Sequence, residues 1–470
     1  MKVFFTTTPL SLEERYGSLA GGGSTSPSLG ILILAAVVRN EGFDCTLVDA
    51  SALSLVEEVL IKRLKVVRPD ILCISSTTLG IRNANAFAVE AKRVIPSLTV
   101  VVGGPHITAA PLETMQRFSS FDIAVIGEGE LTLVELLRAL SAGNTLSAVQ
   151  GLIFREGNNL INTGRRPFIR DLDSLPFPAW DLLEQFPARY MPAPFKVMKL
   201  PAAILVTSRG CPNQCIFCDR SVFGSSCHGY TAEYVVRQMS ELYHRYGIRE
   251  FSFEDDTFIT FRNRLKEICE RLIELQLNIS WTCLGRANHV TAENLRLMRK
   301  AGCWQISFGI ESGNQEILNL INKRVTLDQV RQAVHLSREA GIRSKGFFII
   351  GHPGETPETI KMSIDFALEL PLDDISVSLM TPFPGTELYR RASEFGEFDP
   401  DWANMNLLNI VFIPHGLTRN DLVMAQKELL RRFYFRPRIL FDYGKRLLHN
   451  PSMVKGLWNG FRSLIQSIRS

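Results

Sequence analysis

The sequence has few cysteines for its length, and it lacks a long hydrophobic run. Nine cysteines are spread over 470 residues, which argues against a secreted disulfide framework and favours a reducing compartment. The chain starts with a short apolar strand and shows no signal peptide. The longest early apolar run, Ile31 to Val38, is far shorter than the about 20 residues of a membrane-spanning helix. We therefore expect a globular, cytoplasmic protein of about two domains.

The chain also has little net charge outside its C-terminal end. The formal net charge is +4, yet the stretch from Gly416 to Ser470 holds eleven Lys and Arg residues against three acidic ones. The rest of the chain is therefore slightly acidic, and no nucleic-acid-binding module is recognisable in it. We expect no nucleic-acid partner.

Residues 1–145 alternate short β-branched strands with amphipathic helices, a pattern typical of a doubly wound parallel sheet. Ligands of such sheets bind at the carboxyl ends of the strands. Small and polar residues follow three of the predicted strands there: Ser75, Ser76, Thr77, Gly103, Gly104, His106, Gly127 and Glu128. Glycines allow a ligand to approach the backbone, and hydroxyls with free helix-start amides hold phosphate or amide groups. Ordinary turn chemistry is the alternative for each glycine taken alone.

Residues 146–200 break this alternation. A small hairpin is predicted around Gly157 to Asn159, and a proline-rich stretch with Pro176 and Pro178 follows it. Proline enforces extended backbone, so we expect an interdomain linker in which Trp180 packs at the domain interface.

Residues 201–415 resume the alternation, with six predicted strands and five helices between them. Six such units are fewer than the eight of a complete barrel. All six strands end in polar or glycine-rich residues, which is where parallel barrels place their chemistry. A purely structural barrel would not need that arrangement.

Three cysteines lie in one short loop after the first of these strands. They are Cys211, Cys215 and Cys218, and thiolates at this density can ligate three irons of a four-iron cluster and leave the fourth iron open. A zinc site that takes a further ligand from Cys227 or His228 is the alternative, as are three buried structural cysteines.

The spacing Cys-x-x-x-Cys-x-x-Cys, with Phe217 before the third cysteine, resembles the loop of radical S-adenosylmethionine (SAM) enzymes. The resemblance implies a partial (β/α)6 TIM barrel open on one side. It also implies that Cys211, Cys215 and Cys218 hold a [4Fe–4S] cluster whose open iron binds SAM. One-electron reduction, by a donor such as flavodoxin or ferredoxin, then cleaves SAM to a 5′-deoxyadenosyl radical.

The same resemblance assigns further SAM-binding residues. The segment Glu254 to Asp256 matches the acidic segment near the methionyl amine, with Glu254 and Asp255 as the candidate contacts, and Arg286 matches the cation for the carboxylate. Glu311 corresponds to a polar contact with ribose or methionine, while Ile350 and Phe217 flank the adenine. Helix capping by Asp255 or Asp256 and a surface ion pair of Arg286 are the alternatives.

The first domain resembles the vitamin B12-binding domain of one large radical SAM class, through Val101 to His106 and Asp122 to Glu130. This implies cobalamin, with its nucleotide tail near the hydroxyl loop and the paired glycines. The stretch from Thr6 to Gly30 contains no histidine, so we expect cobalamin without a lower histidine ligand.

The basic tail, residues 416–470, is predicted to contain an amphipathic helix. Its apolar face comprises Met453, Leu457, Phe461, Leu464, Ile465 and Ile468. Such a helix either packs on the barrel or contacts a membrane surface peripherally. The tail resembles that of anaerobic Mg-protoporphyrin monomethyl ester cyclases, which implies a hydrophobic small-molecule substrate.

We expect a cobalamin-dependent radical SAM enzyme, a methyltransferase or a cyclase, that acts on an unactivated carbon. The cofactors would perform the chemistry and the protein would position them. Two alternatives stay open at this stage: a cobalamin-free radical SAM enzyme with a vestigial first domain, and a non-catalytic cobalamin or cluster sensor.

Overall fold

The computed structural model describes residues 1–193, 196–449, 458–459 and 462. All six residues of the apolar face predicted for the tail lie outside these ranges, so the membrane contact stays a prediction. In the part of the chain that is described, no helix is long and apolar enough to cross a membrane.

The first domain contains a seven-stranded sheet in the order β2-β1-β3-β4-β5-β6-β7. Strands β1 to β5 are parallel, and the β6–β7 hairpin continues the sheet in antiparallel pairing. The strand order 2-1-3-4-5 is that of a doubly wound fold, as predicted. The strands are β1 (Lys2–Thr7), β2 (Asp44–Val48), β3 (Ile71–Ser75), β4 (Thr99–Gly103), β5 (Ile123–Val125), β6 (Leu152–Glu156) and β7 (Asn159–Asn162).

Helices cover both faces of this sheet because each strand carries buried apolar side chains on either side. Helices α2 and α7 pack in the core of one face, and α3 and α4 in that of the other. The helices of this domain are α1 (Leu12–Tyr16), α2 (Leu29–Asn40), α3 (Glu57–Val67), α4 (Ile81–Val94), α5 (Pro105–Ala109), α6 (Pro111–Arg117) and α7 (Gly129–Ala142).

The second domain is built on six parallel strands in the order β15-β14-β13-β12-β11-β8. The two outermost strands do not pair with each other, so the barrel is open on one side, as predicted. These strands are β8 (Ala202–Leu205), β11 (Glu250–Phe253), β12 (Ser280–Gly285), β13 (Cys303–Glu311), β14 (Arg343–Ile350) and β15 (Asp374–Leu379). Two short antiparallel pairs accompany them: β9 (Ser208–Arg209) with β10 (His228–Gly229), and β16 (Gly396–Phe398) with β17 (Phe412–Pro414).

Helices of the second domain alternate with its strands, and two more follow the barrel. They are α8 (Ala232–Tyr246), α9 (Arg262–Leu275), α10 (Ala292–Lys300), α11 (Gln315–Leu320), α12 (Leu327–Glu339), α13 (Pro357–Glu369), α14 (Glu387–Phe395), α15 (Arg419–Tyr434) and α16 (Pro437–His449). Helix α15 is fixed to the barrel by the Tyr434 hydroxyl, which donates to Asp374 Oδ1 at 2.5 Å.

The linker contacts both domains. Ala179 N–H donates to Leu32 O of α2 at 3.1 Å, and the buried Trp180 ring packs on Phe186. On the barrel side, the Tyr234 hydroxyl of α8 donates to the Leu175 carbonyl at 3.1 Å. Trp180 therefore packs within a linker whose neighbouring residues, Ala179 and Leu175, contact the two domains.

Candidate functional site

The cysteine loop starts from a backbone clamp at the end of β8. The Asp255 carboxylate accepts hydrogen bonds from the N–H groups and the hydroxyls of Thr207 and Ser208. Arg264 adds a second restraint, since its Nη2 donates to Thr207 O at 2.8 Å. The loop then passes through Gly210 (φ 84°), where any side chain would overlap the Ser226 carbonyl. These contacts fix the point from which the three cysteines project.

The three cysteine thiols differ in exposure and partners. Cys215 is buried, Cys211 is partly buried and Cys218 is exposed. A hydrogen bond from the Cys218 thiol, together with the nearby cations of Lys323 and Arg286, lowers the pKa of Cys215 to about 6. Among the described residues, no group of three His, Cys, Asp or Glu side chains is arranged for a metal ion. The environment of Cys215 nevertheless favours the thiolate, which is the form that ligates iron.

A cavity of about 210 Å³ opens beside these thiols at the carboxyl ends of β11 to β14. It contains all three cysteines and three of the predicted SAM-binding residues. Its wall includes Cys211, Cys215, Phe217, Cys218, Asp256, Thr257, Arg286, Ser307, Glu311, Lys323 and Phe347. This position agrees with the rule that parallel barrels bind ligands at this edge.

Two cations reach into the cavity from buried positions. Arg286 Nη1 lies 3.9 Å from Cys215 Sγ, Nη2 donates to the Lys323 carbonyl, and the buried Nε has no partner within the described residues. Lys323 Nζ contacts Glu311 Oε1 at 2.6 Å. The unpartnered Nε and the surrounding positive charge suit an anionic group such as a carboxylate.

Three predicted SAM-binding residues do not lie on the cavity wall. Asp255 is fully buried and occupied by its clamp, while Glu254 accepts hydrogen bonds from Ser252 and Lys196. Ile350 is also fully buried. Asp256, in the turn after β11, and Phe347, within β14, line the cavity instead.

The loop after β14 is held by a buried carboxylate. Glu355 Oε2 accepts from Gly351 N at 2.7 Å and from His352 N at 3.0 Å. Burial raises the pKa of Glu355 to about 7 and lowers that of His352 to about 3. His352 packs edge-on against Phe217, 6.1 Å between ring centroids, so this loop supports the cysteine loop from behind.

A second cavity, of about 330 Å³, lies at the carboxyl ends of the first sheet. Its wall combines glycine-rich loops with apolar side chains of the sheet and α2. Predicted residues on it are Ser75, Gly103, Gly104, Gly127 and Glu128, and the barrel adds Val222 and Phe223. Gly104 has φ 102°, and a Cβ there would lie 2.8 Å from Ser76 O, so only glycine leaves this surface open.

A third cavity, of about 640 Å³, adjoins the second and lies between the domains. Both cavities share Ser28, Ser75 and Pro105. One wall carries hydroxyl groups of the first domain, including Ser76 and Thr77, whereas the other carries apolar barrel residues: Phe383, Met405, Leu407 and Leu408.

His106 lines neither of these cavities. It is buried, with Nδ1 3.1 Å from Thr78 Oγ1 and Nε2 3.1 Å from Thr114 Oγ1, and its ring packs edge-on against Trp402 at 4.4 Å. Burial lowers its pKa to about 4. His106 therefore links the domains as a neutral side chain.

Sequence reasoning missed two charged residues of the site. Lys323 comes from the connection between α11 and α12, where no local pattern distinguishes it. Arg209 directly precedes Gly210 and Cys211, and this adjacency was the available signal. Arg209 Nη1 contacts Glu128 Oε1 at 2.6 Å and Nη2 contacts Glu130 Oε1 at 2.5 Å.

Two family models match the chain. The radical SAM superfamily model covers residues 205–367, and the B12 binding domain model covers residues 19–137. The matched ranges contain the cysteine loop with its cavity and most of the first sheet, respectively.

Curated relatives match over most of the chain. A protein of Pyrococcus horikoshii described as an uncharacterized methyltransferase is 35% identical over 420 residues, which is 89% of this chain and 90% of the relative. The anaerobic magnesium-protoporphyrin IX monomethyl ester cyclase of Cereibacter sphaeroides is 30% identical, covering 89% and 68% of the two chains.

Solved structures share the fold. The radical SAM methyltransferase TsrM of Kitasatospora setae superposes with a TM-score of 0.71 at 17% identity, covering 91% of this chain and 88% of that one. The cobalamin-dependent radical SAM enzyme OxsB gives 0.72 at 19% identity, covering 98% and 72%.

The residues present fit the cofactors that these domains imply, namely a [4Fe–4S] cluster, SAM and cobalamin. The cysteine loop offers three thiols beside an unpartnered guanidinium Nε. The first-domain cavity offers the open surface at Gly104 and Gly127 and the hydroxyl of Ser75 at the end of β3. Among the described residues, no histidine lines this cavity or the one between the domains, which suits cobalamin without a histidine ligand. The chain therefore belongs to the radical SAM enzymes that carry an N-terminal B12-binding domain.

Proposed function

We propose that the protein transfers a methyl group to an unactivated carbon of a small molecule that has an apolar part. The observation that carries this proposal is that the cysteine loop borders both cofactor cavities. Its three cysteines line the barrel cavity, and Val222 and Phe223, a few residues further on, line the first-domain cavity. Radical chemistry and cobalamin chemistry would thus meet at one segment.

When bound, the cluster and SAM supply a radical that abstracts hydrogen, and cobalamin supplies the methyl group. The residues of this chain hold and orient these groups. We assign Cys211, Cys215 and Cys218 to the cluster and Arg286 to the SAM carboxylate. Asp256 then takes the methionyl amine in place of Asp255.

Glu311 and Lys323 form a buried ion pair on the wall of the barrel cavity, and Phe217 of the cysteine loop lines the same cavity. We assign these residues to the ribose and adenine end of SAM. We assign the glycine-rich and hydroxyl-bearing loops of the first domain, with Ser76 and Thr77, to the amide groups and the tail of cobalamin.

The substrate would contact the apolar wall of the interdomain cavity. Phe383, Met405, Leu407 and Leu408 present apolar surface there, and a hydrophobic substrate gains free energy by covering it. The relative from Pyrococcus horikoshii, described as a methyltransferase, supports methyl transfer. The relative described as a cyclase makes ring closure the second candidate.

An acidic one-electron carrier, such as flavodoxin or ferredoxin, would reduce the cluster from the outer side of the loop. A polar cavity of about 420 Å³ there contains Cys215 and Cys218. Arg220 and Arg390 line it together with one carboxylate, that of Glu387, and this excess of positive charge would steer an acidic partner to them.

The test is anaerobic reconstitution of the full chain with iron, sulfide and hydroxocobalamin, followed by desalting and incubation with SAM and a reductant. We expect iron and cobalt to be retained, and both 5′-deoxyadenosine and S-adenosylhomocysteine to form. The Cys215→Ala protein should lose the 5′-deoxyadenosine, whereas Cys269→Ala, a buried cysteine behind the barrel, should not. Formation of 5′-deoxyadenosine alone would favour ring closure, and absence of cobalt would refute cobalamin use.

A further inference from the structure

Three buried charged side chains join the two domains directly in front of the cysteine loop. We call Arg209, Glu128 and Glu130 the ion triad. Arg209 lies on β9, Glu128 is the N-cap residue of α7, and Glu130 lies in the first turn of that helix. The exposed fractions of the three side chains are 4%, 3% and 8%. Glu128 is fully engaged, because its second oxygen accepts from Ile169 N at 2.6 Å.

Burying such charges costs free energy that their mutual attraction only partly returns. Apolar contacts would stabilise an interface between the domains equally well. A buried bidentate guanidinium instead fixes orientation, since its planar fork matches two carboxylates in one geometry. The ion triad therefore defines how β9 sits against the first domain.

On one side, the ion triad borders the first-domain cavity, which we assign to cobalamin. Glu128 and Glu130 line it together with Phe223, and the Arg209 guanidinium lies over the Phe223 ring at 5.3 Å. Part of the cavity wall is thus made by the chain that follows the cysteines. Its shape depends on where that chain lies.

On the other side the ion triad touches the cysteine loop. Only Gly210 separates Arg209 from Cys211, and a Cβ at Gly210 would overlap Ser226 O and lie 3.1 Å from Phe223 O, so the backbone here runs close to the chain that follows the cysteines. A shift of Arg209 would therefore displace Cys211. Displacement of the cysteines would in turn move Phe223.

We propose that Arg209 is a positioning residue that couples cobalamin binding to the state of the cysteine loop, so that an ordered iron–sulfur cluster tightens cobalamin binding and the reverse. This inference rests on the cofactor assignment of the proposed function. Coupling of this kind is reciprocal, and its usual size is about 5- to 150-fold in affinity.

The experiment compares cobalamin affinity in two forms of the full chain, cluster-free and anaerobically reconstituted. Hydroxocobalamin is titrated into each, and the retained cobalt is measured after equilibrium dialysis. In the wild type we expect the dissociation constant to be at least about fivefold lower in the reconstituted form. In Arg209→Lys, which keeps the charge but loses the bidentate fork, we expect the two constants to agree within about twofold.

Two further variants keep the test decisive. Glu130→Gln replaces Arg209→Lys in the test if the latter fails to fold. It retains an acceptor and leaves Arg209 and Glu128 as a neutral pair. It should reduce the ratio of the two dissociation constants, that of the cluster-free form over that of the reconstituted form. Arg39→Lys is the matched control, since Arg39 also uses both Nη atoms in an ion pair, but with the single carboxylate of Asp181 and at an exposed site. It should keep the wild-type ratio.

The outcomes separate the inference from the proposed function. A wild-type ratio of one, or an unchanged ratio in both ion-triad variants, overturns the coupling and leaves the cofactor assignment intact. Failure of the wild type to retain any cobalt refutes the cofactor assignment itself. Loss of the ratio with native thermal stability supports the coupling, because a merely structural role would lower stability instead.

Discussion

Asp255 and Asp256 are chain neighbours with opposite surroundings. Asp255 is fully buried, and burial raises its pKa against the opposing effect of Arg264 and of the donors on Thr207 and Ser208. Asp256 is exposed to the barrel cavity. The first carboxylate therefore belongs to the architecture of the loop and the second is available to a ligand.

This contrast gives a prediction with a built-in control. Asp255→Asn should lower the free energy of unfolding by about 3 kcal/mol, because buried donors lose a charged acceptor, and should reduce the iron retained after reconstitution. Asp256→Asn should leave both unchanged while weakening SAM binding about tenfold. Chemical denaturation, iron analysis and equilibrium dialysis of SAM measure the three quantities. Equal effects of the two variants would contradict the assignment.

Glu355 makes stability depend on pH in a stated direction. Burial raises its pKa in the folded chain to about 7 from an ordinary 4.5, so the folded state binds more protons than the unfolded state between these values. Stability is then fully present below pH 4.5 and is lost as the pH rises through 7, by at most about 3 kcal/mol.

We therefore expect Glu355→Gln to remove this loss, because one amide oxygen can still accept from Gly351 N and His352 N. Denaturation at about pH 5 and about pH 8 measures this pH dependence, since these values bracket the upper part of the titration. The free energy of unfolding of the variant should rise relative to that of the wild type at the higher pH. Burial also raises the pKa of Glu250 to about 7. Glu250 is present in both proteins, so its contribution to the pH dependence of stability cancels in the comparison. Glu358→Gln, an exposed change on α13, should keep the wild-type slope, and a wild-type slope in Glu355→Gln would refute the explanation.

Residue types and spacing predicted the cysteine loop, but not which way each side chain points. The choice between Asp255 and Asp256, or between Ile350 and Phe347, is decided by where each strand ends and how its last residues turn. Lys323 and Arg209 meet partners that are far away in the sequence: Lys323 lies near Cys215, and Arg209 contacts Glu128 in the other domain. Such contacts arise only from tertiary packing, which no local pattern encodes.

At the scale of elements, the loop depends on one constrained backbone position. Gly210 has φ 84°, and a side chain there would overlap a carbonyl. Gly247, at the end of α8, has φ 69°, and the space that a Cβ would take there is open. Both glycines adopt the left-handed conformation, but only the first is also sterically closed.

We expect Gly210→Ala to lose most of the iron that the wild type retains, since the loop must shift to relieve the overlap. Gly247→Ala should keep the iron and cost only the conformational strain, about 1 kcal/mol. Iron per chain after anaerobic reconstitution, together with thermal unfolding, distinguishes the two. Full iron retention by Gly210→Ala would show that the loop tolerates displacement.

Strands and long helices were predictable because their apolar periodicity is local. The alternation predicted for residues 1–145 is that of the five parallel strands of the first sheet, and the six strands predicted for residues 201–415 are the six of the barrel. The short elements α5, α6, α11 and α14 and the pair β9–β10 were not predicted, because they have too few residues for a periodic pattern and are held by contacts with distant segments.

At the scale of the whole molecule, the family membership confirms the predicted enzyme class and cofactor set. The interdomain cavity exists only while the domains stay in register, since one wall comes from each. The ion triad and the packing of Trp402 on the first domain hold that register together with the linker.

Trp402 offers the last prediction, on the domain interface. The ring is 1% exposed and lies 4.4 Å from the His106 ring and 4.2 Å from the Arg117 guanidinium, so a residue that follows the barrel strands is packed into the first domain. Truncation leaves a cavity and exposes the buried, neutral His106. We expect Trp402→Ala to destabilise the protein by about 3–5 kcal/mol.

Because this loss falls on the interface and not on either sheet, unfolding should also become less cooperative. Differential scanning calorimetry of the full chain should resolve two transitions in Trp402→Ala where the wild type shows one, and cobalamin retention should fall with the first. Trp458→Ala, at a ring that is 61% exposed, should behave as the wild type. A single, merely shifted transition in Trp402→Ala would mean that the linker and the ion triad alone keep the domains together.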